Sequence, residues 1–352
     1  MTLAIGPGGV DFEDYVRLRL FDQTFYGSSE RSLVAGVMQN RRLVAQVNFR
    51  ADWNCIFTNK IAMTHYLAAH GLPVLPIDML FSHRAHPAAA DVLTTQADLE
   101  SFLRDPGTYP LFGKPVEGFQ SLGTISLRRY LSEQDVAETA SGHFIRVKDL
   151  SGSILAAYAD GYIFQELVRS HAAMRRICGE GTGTARLLTI NDQGKIRVAR
   201  ACLKIPAARN AADNYWRPGN ILASLNLETG EITGACSGVG LEMKPVVRHP
   251  DTGAHLVGEA VPNWPGLIQM AIAGAKVVER VPLIGWDIAS TESGPAIVEM
   301  NGTPDLLLHQ LADRRGMLDE TFVAFVKSQK RLAAAWKPCA TRTSPAASKL
   351  VP

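Results

Sequence analysis

Residues 283–306 read LIGWDIASTESGPAIVEMNGTPDL, and this stretch decides how we interpret the whole chain. Two apolar runs flank the short polar segment TESG, which is the pattern of a β-hairpin. If the turn centres on Ser293, Asp287 pairs with Glu299 across the hairpin. Asn301 lies two residues beyond Glu299, so its side chain points to the same face. The stretch therefore predicts a strand pair with two carboxylates and one amide on one face.

Two carboxylates and one amide oxygen on one face can form a site for a hard cation. Mg²⁺ typically takes one or two carboxylates together with the oxygens of a bound phosphate. Without a cation the two carboxylates would repel each other. The alternative is a pair of solvated residues on an exposed strand face, and the hairpin alone does not decide between the two.

The segment LFGKPVEGFQSLG, residues 111–123, is a second candidate site. Lys114 lies near the end of an apolar strand, where its ammonium group can reach a bound phosphate. The loop after it contains Gly118, Ser121 and Gly123, and its glycines allow the backbone to close over a ligand. The segment lacks the GxxxxGK[ST] pattern of a P-loop. A surface hairpin with a solvated lysine is the alternative.

A third candidate is the end of the apolar strand 162–168. There Gln165, Glu166 and Val168 can offer edge backbone groups and one carboxylate to an adenosine, although an ordinary strand end has the same pattern. Basic residues follow between positions 175 and 204. We expect Arg186 and Lys204, which lie on paired strands, to be the better contacts for phosphate or carboxylate groups.

Composition excludes several classes of protein. The 352 residues are 46% hydrophobic, with 36 basic and 34 acidic residues, which indicates a globular chain and argues against a nucleic-acid partner. Five cysteines without a CxxC pair argue against a disulfide framework and favour a cytoplasmic location. No long apolar run predicts membrane insertion, and the N-terminus lacks the features of a signal peptide.

The remaining pattern mixes helices with antiparallel hairpins, which predicts an α+β fold. We expect helices over residues 12–26, 59–70 (capped by Thr58), 263–280 and 318–336. Strand patterns occur at 110–116, 124–130, 142–147 and 162–168. Two further hairpins precede the metal-site candidate, with the turns NDQG and ETG.

The order of these pieces, from Asn59-Lys60 through FGKPVEGFQSLG, QELV and Arg186 to WDIAS and IVEMN, resembles the ATP-grasp superfamily. Its sugar-transfer-associated branch is the most similar, over residues 55–311. The resemblance implies two α+β lobes that clasp ATP, with a short N-terminal unit. The implied division is an N-terminal unit 1–84, a small lobe 85–168 and a large lobe 169–336. The small, polar and Pro-containing composition of residues 337–352 predicts a mobile tail.

The resemblance also implies roles for individual residues. ATP contacts are expected from Lys60, Lys114, the loop with Gly118, Ser121 and Gly123, and the hinge with Gln165, Glu166 and Val168. One or two Mg²⁺ ions are expected at Asp287, Glu299 and Asn301, and catalytic cations at Arg186 and Lys204. Arg176, Asp213 and Asn214 are expected to contact substrate.

The activity implied is that of an ADP-forming ligase, which joins a small-molecule carboxylate to an amine through an acyl-phosphate. Phosphoryl transfer depends on positioning and charge neutralisation, which suits these residue types. Two alternatives remain open, namely a kinase acting on a small-molecule hydroxyl and a non-catalytic nucleotide-binding module. The sequence also leaves a homodimer open.

Overall fold

The structure is a computed structural model that describes residues 8–83, 92–118, 121–207 and 210–336. Helices and antiparallel strands alternate irregularly along the chain, in agreement with the predicted α+β fold. Within the described residues the α-helices are α1 Phe12–Arg17, α2 Ser28–Arg31, α3 Val37–Val47, α4 Cys55–Thr58, α5 Lys60–Ala69, α6 Gln96–Arg104, α7 Val147–Tyr158, α8 Ala172–Cys178, α9 Trp264–Val277, α10 Leu306–Asp313 and α11 Glu320–Ala335.

In the described part of the chain, the first sheet has seven strands in the order β2-β1-β7-β3-β4-β5-β6, and only the β1–β2 pair is parallel. Helices α6 and α7 bury their apolar residues against it. The first strand lies before residue 84, so the chain enters this sheet within the predicted N-terminal unit. The strands are β1 Met79–Phe81, β2 Val92–Leu93, β3 Leu111–Pro115, β4 Ile125–Leu131, β5 Val136–Thr139, β6 Phe144–Arg146 and β7 Tyr162–Glu166.

The second sheet is antiparallel throughout, in the order β12-β11-β10-β9-β8-β13-β14. Helix α9 covers one face, and there Trp286 is wholly buried. A Cβ added to Gly274 of α9 would lie 2.5 Å from the Trp286 ring, so the glycine permits this close approach. The strands are β8 Thr184–Asp192, β9 Lys195–Ile205, β10 Ile221–Leu225, β11 Ile232–Ser237, β12 Lys244–Pro245, β13 Leu283–Thr291 and β14 Gly294–Asn301.

The N-terminal region differs from the predicted helix over residues 12–26. Helix α1 ends at Arg17, and Arg19 has a left-handed backbone with φ 55°. This change of direction buries Leu18 and Leu20 completely in a cluster with β9, β10 and α10. The tertiary gain from burying two leucines outweighs continuation of the helix.

Helix α5 positions Lys60 and confirms the predicted helix over 59–70 with one correction. The cap is Asn59 rather than Thr58, because the Asn59 side chain accepts hydrogen bonds from the backbone N–H groups of Ile61 and Ala62 at 3.1 and 3.0 Å. Thr58 instead ends α4. Gly71, with φ 73°, follows the last turn as predicted.

Across the described residues, we find no helix with the length and apolar character needed to span a bilayer. The predicted mobile tail, residues 337–352, lies outside the described residues.

Candidate active site

A cleft of about 490 Å³ lies between the two sheets. Strands β3 and β4 and the segment after β7 form one wall, and the ends of β8, β9, β13 and β14 form much of the other. Most of the predicted site residues line it, namely Lys60, Lys114, Gly118, Ser121, Gln165, Glu166, Val168, Lys204, Asp213, Asp287 and Glu299.

Five predicted residues do not form the described surface of the cleft. Arg186 is buried and binds the carboxylate of Asp287, and Arg176 is exposed on α8. The remaining three make local hydrogen bonds: Gly123 accepts from the Tyr162 hydroxyl at 2.8 Å, Asn214 accepts from the Trp216 backbone N–H at 3.2 Å, and Asn301 donates to the Gly285 carbonyl at 3.4 Å.

The hairpin β13–β14 places the two carboxylates opposite each other. Asp287 pairs with Glu299, so the register predicted from the turn is confirmed at this position. Nearer the turn the register shifts by one residue, because a β-bulge follows Asp287 and leaves Val298 unpaired. The bulge lies beside the cleft, and the two acidic side chains line it on neighbouring strands.

Asp287 belongs to a buried chain of alternating charges. Arg186 donates from Nε and Nη2 to the two carboxylate oxygens of Asp287, at 2.6 and 2.9 Å. The Nζ atom of Lys204 lies 3.1 Å from Oδ2 of Asp287 and 3.1 Å from Oδ1 of Asp213. Asp213 also accepts from the backbone N–H and the hydroxyl of Thr184, at 2.9 and 2.5 Å. Each buried charge therefore has a partner of opposite sign.

These pairs set the protonation of the carboxylate that faces the cleft. Burial by itself would raise the pKa of Asp287, but Arg186 and Lys204 outweigh it and hold that pKa at about 2. Burial likewise tends to lower the pKa of Lys204, and the carboxylates of Asp213 and Asp287 raise it instead. At neutral pH the aspartate is ionised and the lysine is charged.

The opposite wall presents cations that have no such partners. Lys114 is buried at the end of β3, and burial lowers its pKa to about 8, with Lys60 adding to this effect and Glu299 opposing it. Burial also lowers the pKa of Lys60, whose Nζ donates to the Gly118 carbonyl at 3.2 Å. Among the described residues, neither lysine has a carboxylate within ion-pair distance.

The donor set fits a hard cation that arrives with further oxygen ligands. No group of three or more acidic, histidine or cysteine side chains converges within the described residues. Asp287 and Glu299 nevertheless both line the cleft, and Glu299 has no hydrogen-bond partner among the described residues. Mg²⁺ usually takes one or two carboxylates from a protein when phosphate and water supply its other ligands.

The predicted hinge forms the far end of the cleft. Gln165 is 3% exposed, and its Nε2 donates to the carbonyls of Leu75 and Pro76 at 3.1 and 2.8 Å. Its Oε1 is buried with no partner in the described chain. Gln165 thus keeps one acceptor without a partner among the described residues, beside the backbone of Glu166 to Val168 that lines the cleft.

The glycine loop is anchored from both sheets. Gly118 and Gly123 have φ values of 152° and 74°, which favour glycine. Tyr162 donates to the Gly123 carbonyl, and Arg217 donates to the Ser121 carbonyl at 2.8 Å. Because Arg217 follows β9, the second contact crosses from one wall of the cleft to the other. Positions 119 and 120 of the predicted loop lie outside the described residues.

Sequence reasoning missed part of the lining. Ser126 and Arg128 of β4 contribute to the first wall, and His249, Asp251 and Thr252 come from the segment after β12. None of these residues belongs to a motif, and their sequence distance from the other lining residues gives no local signal. Only the strand order brings them to the cleft.

A family model described as "sugar-transfer associated ATP-grasp" matches residues 38–324. This range includes every residue placed in the cleft above. No curated protein matches the sequence.

Solved structures that are similar to this chain include two ligases and one carboxylase. The ATP-grasp ligase PsnB with a minimal precursor has a TM-score of 0.42 and 14% identity, covering 80% of this chain and 64% of that chain. Biotin carboxylase from Campylobacter jejuni has a TM-score of 0.43 and 11% identity, covering 79% and 46%. Phosphoribosylamine–glycine ligase from Thermotoga maritima has a TM-score of 0.42 and 12% identity, covering 82% and 55%. The matched region is thus less than two thirds of each of these longer proteins.

Proposed function

The chain belongs to the sugar-transfer-associated ATP-grasp family, and we propose that it is an ATP-dependent, ADP-forming ligase that joins a carboxylate to an amine. The observation that carries this proposal is the arrangement of charge in the cleft. Lys60 and Lys114 lie on one wall without ion-pair partners, and the ionised Asp287 lies beside Glu299 on the other. Such a cleft suits a polyphosphate that brings its own cation.

We assign the nucleotide along the length of the cleft. The unused Oε1 acceptor of Gln165 and the backbone up to Val168 would hold the adenine, and Glu166 would contact the ribose or the exocyclic amine. Lys114 and Lys60 would contact the phosphates, with Gly118 and Ser121 supplying backbone groups. One or two Mg²⁺ ions held by Asp287, Glu299 and Asn301 would neutralise charge on the phosphate oxygens.

In the proposed reaction, the substrate carboxylate attacks the γ-phosphorus of ATP and the bond to the β-phosphate oxygen breaks. This gives an acyl-phosphate and ADP. The amine then attacks the acyl carbon, inorganic phosphate leaves with the bonding electron pair, and the nitrogen loses a proton to give the amide. Lys204 and Lys114 would stabilise the charge on the transferring group, and Arg186 would fix the position of Asp287.

The acyl-phosphate must be protected from water until the amine arrives. Gly118, Ser121 and Gly123 would belong to a loop that covers the site, and Arg217 donates to the Ser121 carbonyl from the second wall. Asp213, beside Lys204, is the proposed contact for the incoming amine. Arg176 and Asn214 are proposed as outer substrate contacts that require movement of their segments toward the cleft.

Acyl-phosphate trapping tests the proposal. The protein is incubated with Mg-ATP, hydroxylamine and a pooled panel of amino acids and sugar acids, and the products are analysed by mass spectrometry. We expect a hydroxamate together with ADP, which would also identify the carboxylate substrate. A stable phosphoester without hydroxamate would indicate a kinase instead, and ATP binding without any turnover would favour a nucleotide-binding module.

The matched variant is Glu299→Gln, which keeps the size of the side chain and removes its charge. We expect turnover to fall by at least about 100-fold, because a ligand of the phosphate-bound cation is lost. Glu292→Gln, on the exposed turn of the same hairpin, is the control and should retain activity. Near-normal turnover of Glu299→Gln would exclude the metal assignment.

A further inference from the structure

Helices α3 and α11 form a surface on the second sheet, away from the cleft. They pack against each other. The buried contact between them is apolar and includes Leu43, Val44 and Val47 of α3 and Phe322, Phe325 and Val326 of α11.

The charged residues on the exposed sides of these two helices are all basic, apart from Glu320 in the first turn of α11. We call this surface the basic face, and it consists of Arg41, Arg42, Lys327, Lys330 and Arg331. None of the five has an ion-pair partner among the described residues, and none lines the cleft. Helix α3 contains no acidic residue, and the acidic residue of α11, Glu320, lies at its start.

The excess of basic residues extends over the whole sequence that follows Glu320, which includes the rest of α11. Residues 321–352 contain six basic residues and no acidic residue, whereas residues 1–320 contain 30 basic and 34 acidic residues. A chain with a net charge of only +2 therefore concentrates positive charge at one surface and in the segment that follows it. An asymmetry of this kind points to an anionic partner.

Two exposed apolar side chains adjoin the basic face where α11 ends. Leu332 is 39% exposed and Trp336 is 38% exposed. The Trp336 ring lies 5.8 Å from the ring of Phe49 and 4.9 Å from the guanidinium carbon of Arg50. Basic side chains beside an exposed tryptophan and leucine are the composition of a helix that lies on a membrane surface.

We propose that the basic face binds the surface of an anionic lipid bilayer, with Leu332 and Trp336 entering the headgroup region. Clusters of four to eight lysines and arginines on an amphipathic helix are attracted to negatively charged headgroups. The association is peripheral, and the cleft remains open to solvent. An anionic membrane fits better than a nucleic acid because the apolar side chains at the edge of the face have no role on a phosphate backbone.

Vesicle co-sedimentation of the full chain tests this proposal. Vesicles of phosphatidylcholine alone are compared with vesicles that also contain phosphatidylserine. We expect binding to the anionic vesicles, weaker binding as salt increases, and little binding to the neutral ones. The tryptophan fluorescence should shift to shorter wavelength on binding, and the variant Trp336→Phe should lack this shift.

The variant Lys327→Glu/Lys330→Glu/Arg331→Glu should reduce the partition coefficient by at least about 100-fold. The control is Arg146→Glu/Lys148→Glu/Lys276→Glu, which changes the net charge equally on exposed residues elsewhere. It should lose about threefold or less. Circular dichroism and ATP binding show that both variants are folded.

Three results would overturn the proposal. They are equal binding to neutral and anionic vesicles, equal loss in the two triple variants, and absence of binding to anionic vesicles at low salt. Salt-dependent binding to duplex DNA or RNA that is tighter than binding to the vesicles would assign the face to a nucleic acid instead. The proposed ligase chemistry stands or falls separately, because no residue of the basic face lines the cleft.

Discussion

On the wall formed by the second sheet, Lys204 lies between the carboxylates of Asp213 and Asp287. On the wall formed by the first sheet, Lys114 is just as deeply buried, but no described carboxylate lies within ion-pair distance. The pKa of Lys204 is accordingly raised, whereas burial lowers that of Lys114 to about 8. Lys204 therefore has its counter-charges within the protein, whereas the charge of Lys114 is left for a ligand to neutralise.

The largest expected effect is on the wall of the second sheet, which we call the paired wall because Lys204 lies there between Asp213 and Asp287. Asp287→Asn would leave Arg186 and Lys204 buried without full compensation, and we expect a loss of about 3–5 kcal/mol in the free energy of unfolding. Glu299→Gln, on the neighbouring strand, should cost about 1 kcal/mol or less because Glu299 is half-buried and unpaired. Urea denaturation measures both. Similar losses in the two variants would show that the paired Asp287 contributes no more to stability than the unpaired Glu299.

On the wall of the first sheet, which we call the unpaired wall, we expect substitution of Lys114 to change ligand binding rather than stability. Lys114→Met should weaken ATP binding about 10- to 100-fold, because a hydrogen bond to a charged group is worth roughly 1.5–3 kcal/mol. Its free energy of unfolding should stay the same or rise, since a desolvated charge is removed. Isothermal titration and urea denaturation give the two values, and Lys148→Met, at an exposed lysine, is the control. A large loss of stability would show that Lys114 is structural.

Asp213→Asn sharpens the comparison within the paired wall. Lys204 would keep Asp287 as a partner, and the amide oxygen can still accept from Thr184, so we expect a loss of roughly 2 kcal/mol. Urea denaturation compares it with Asp287→Asn. A cost equal to that of Asp287→Asn would mean that the two carboxylates contribute equally to holding Lys204.

The smallest effect is the pH dependence of ATP binding. Lys114 is charged below its pKa of about 8, so affinity should fall by about tenfold between pH 7 and 9. Stability should change in the opposite direction. The unfolded lysine, with its ordinary pKa of 10.5, binds more protons than the folded one, so the contribution of Lys114 to stability rises from about pH 8 toward 10.5. Lys114→Arg, titrated by calorimetry, should lack the loss of affinity.

These contrasts show which parts of the site a sequence can predict. The pairing of Asp287 with Glu299 follows from a short turn and the alternation of one hairpin, and it was predictable. The predicted helix over 12–26 was too long because the pattern does not reveal that Leu18 and Leu20 are buried by distant strands. The cap is Asn59 rather than Thr58 because α4 ends at Thr58. Residue spacing alone does not fix a helix boundary to within one residue.

The sequence by itself determined the α+β class, the three hairpins of the second sheet and the candidate chemistry of the residues that line the cleft. These depend on local alternation, turn residues and side-chain type, which the chain order contains directly. Only the tertiary structure decided which charges meet. Arg186 and Asp287 are 101 residues apart, and Lys114 approaches Glu299 from a different sheet. Strand order and burial set these encounters, and burial then sets the pKa of each group.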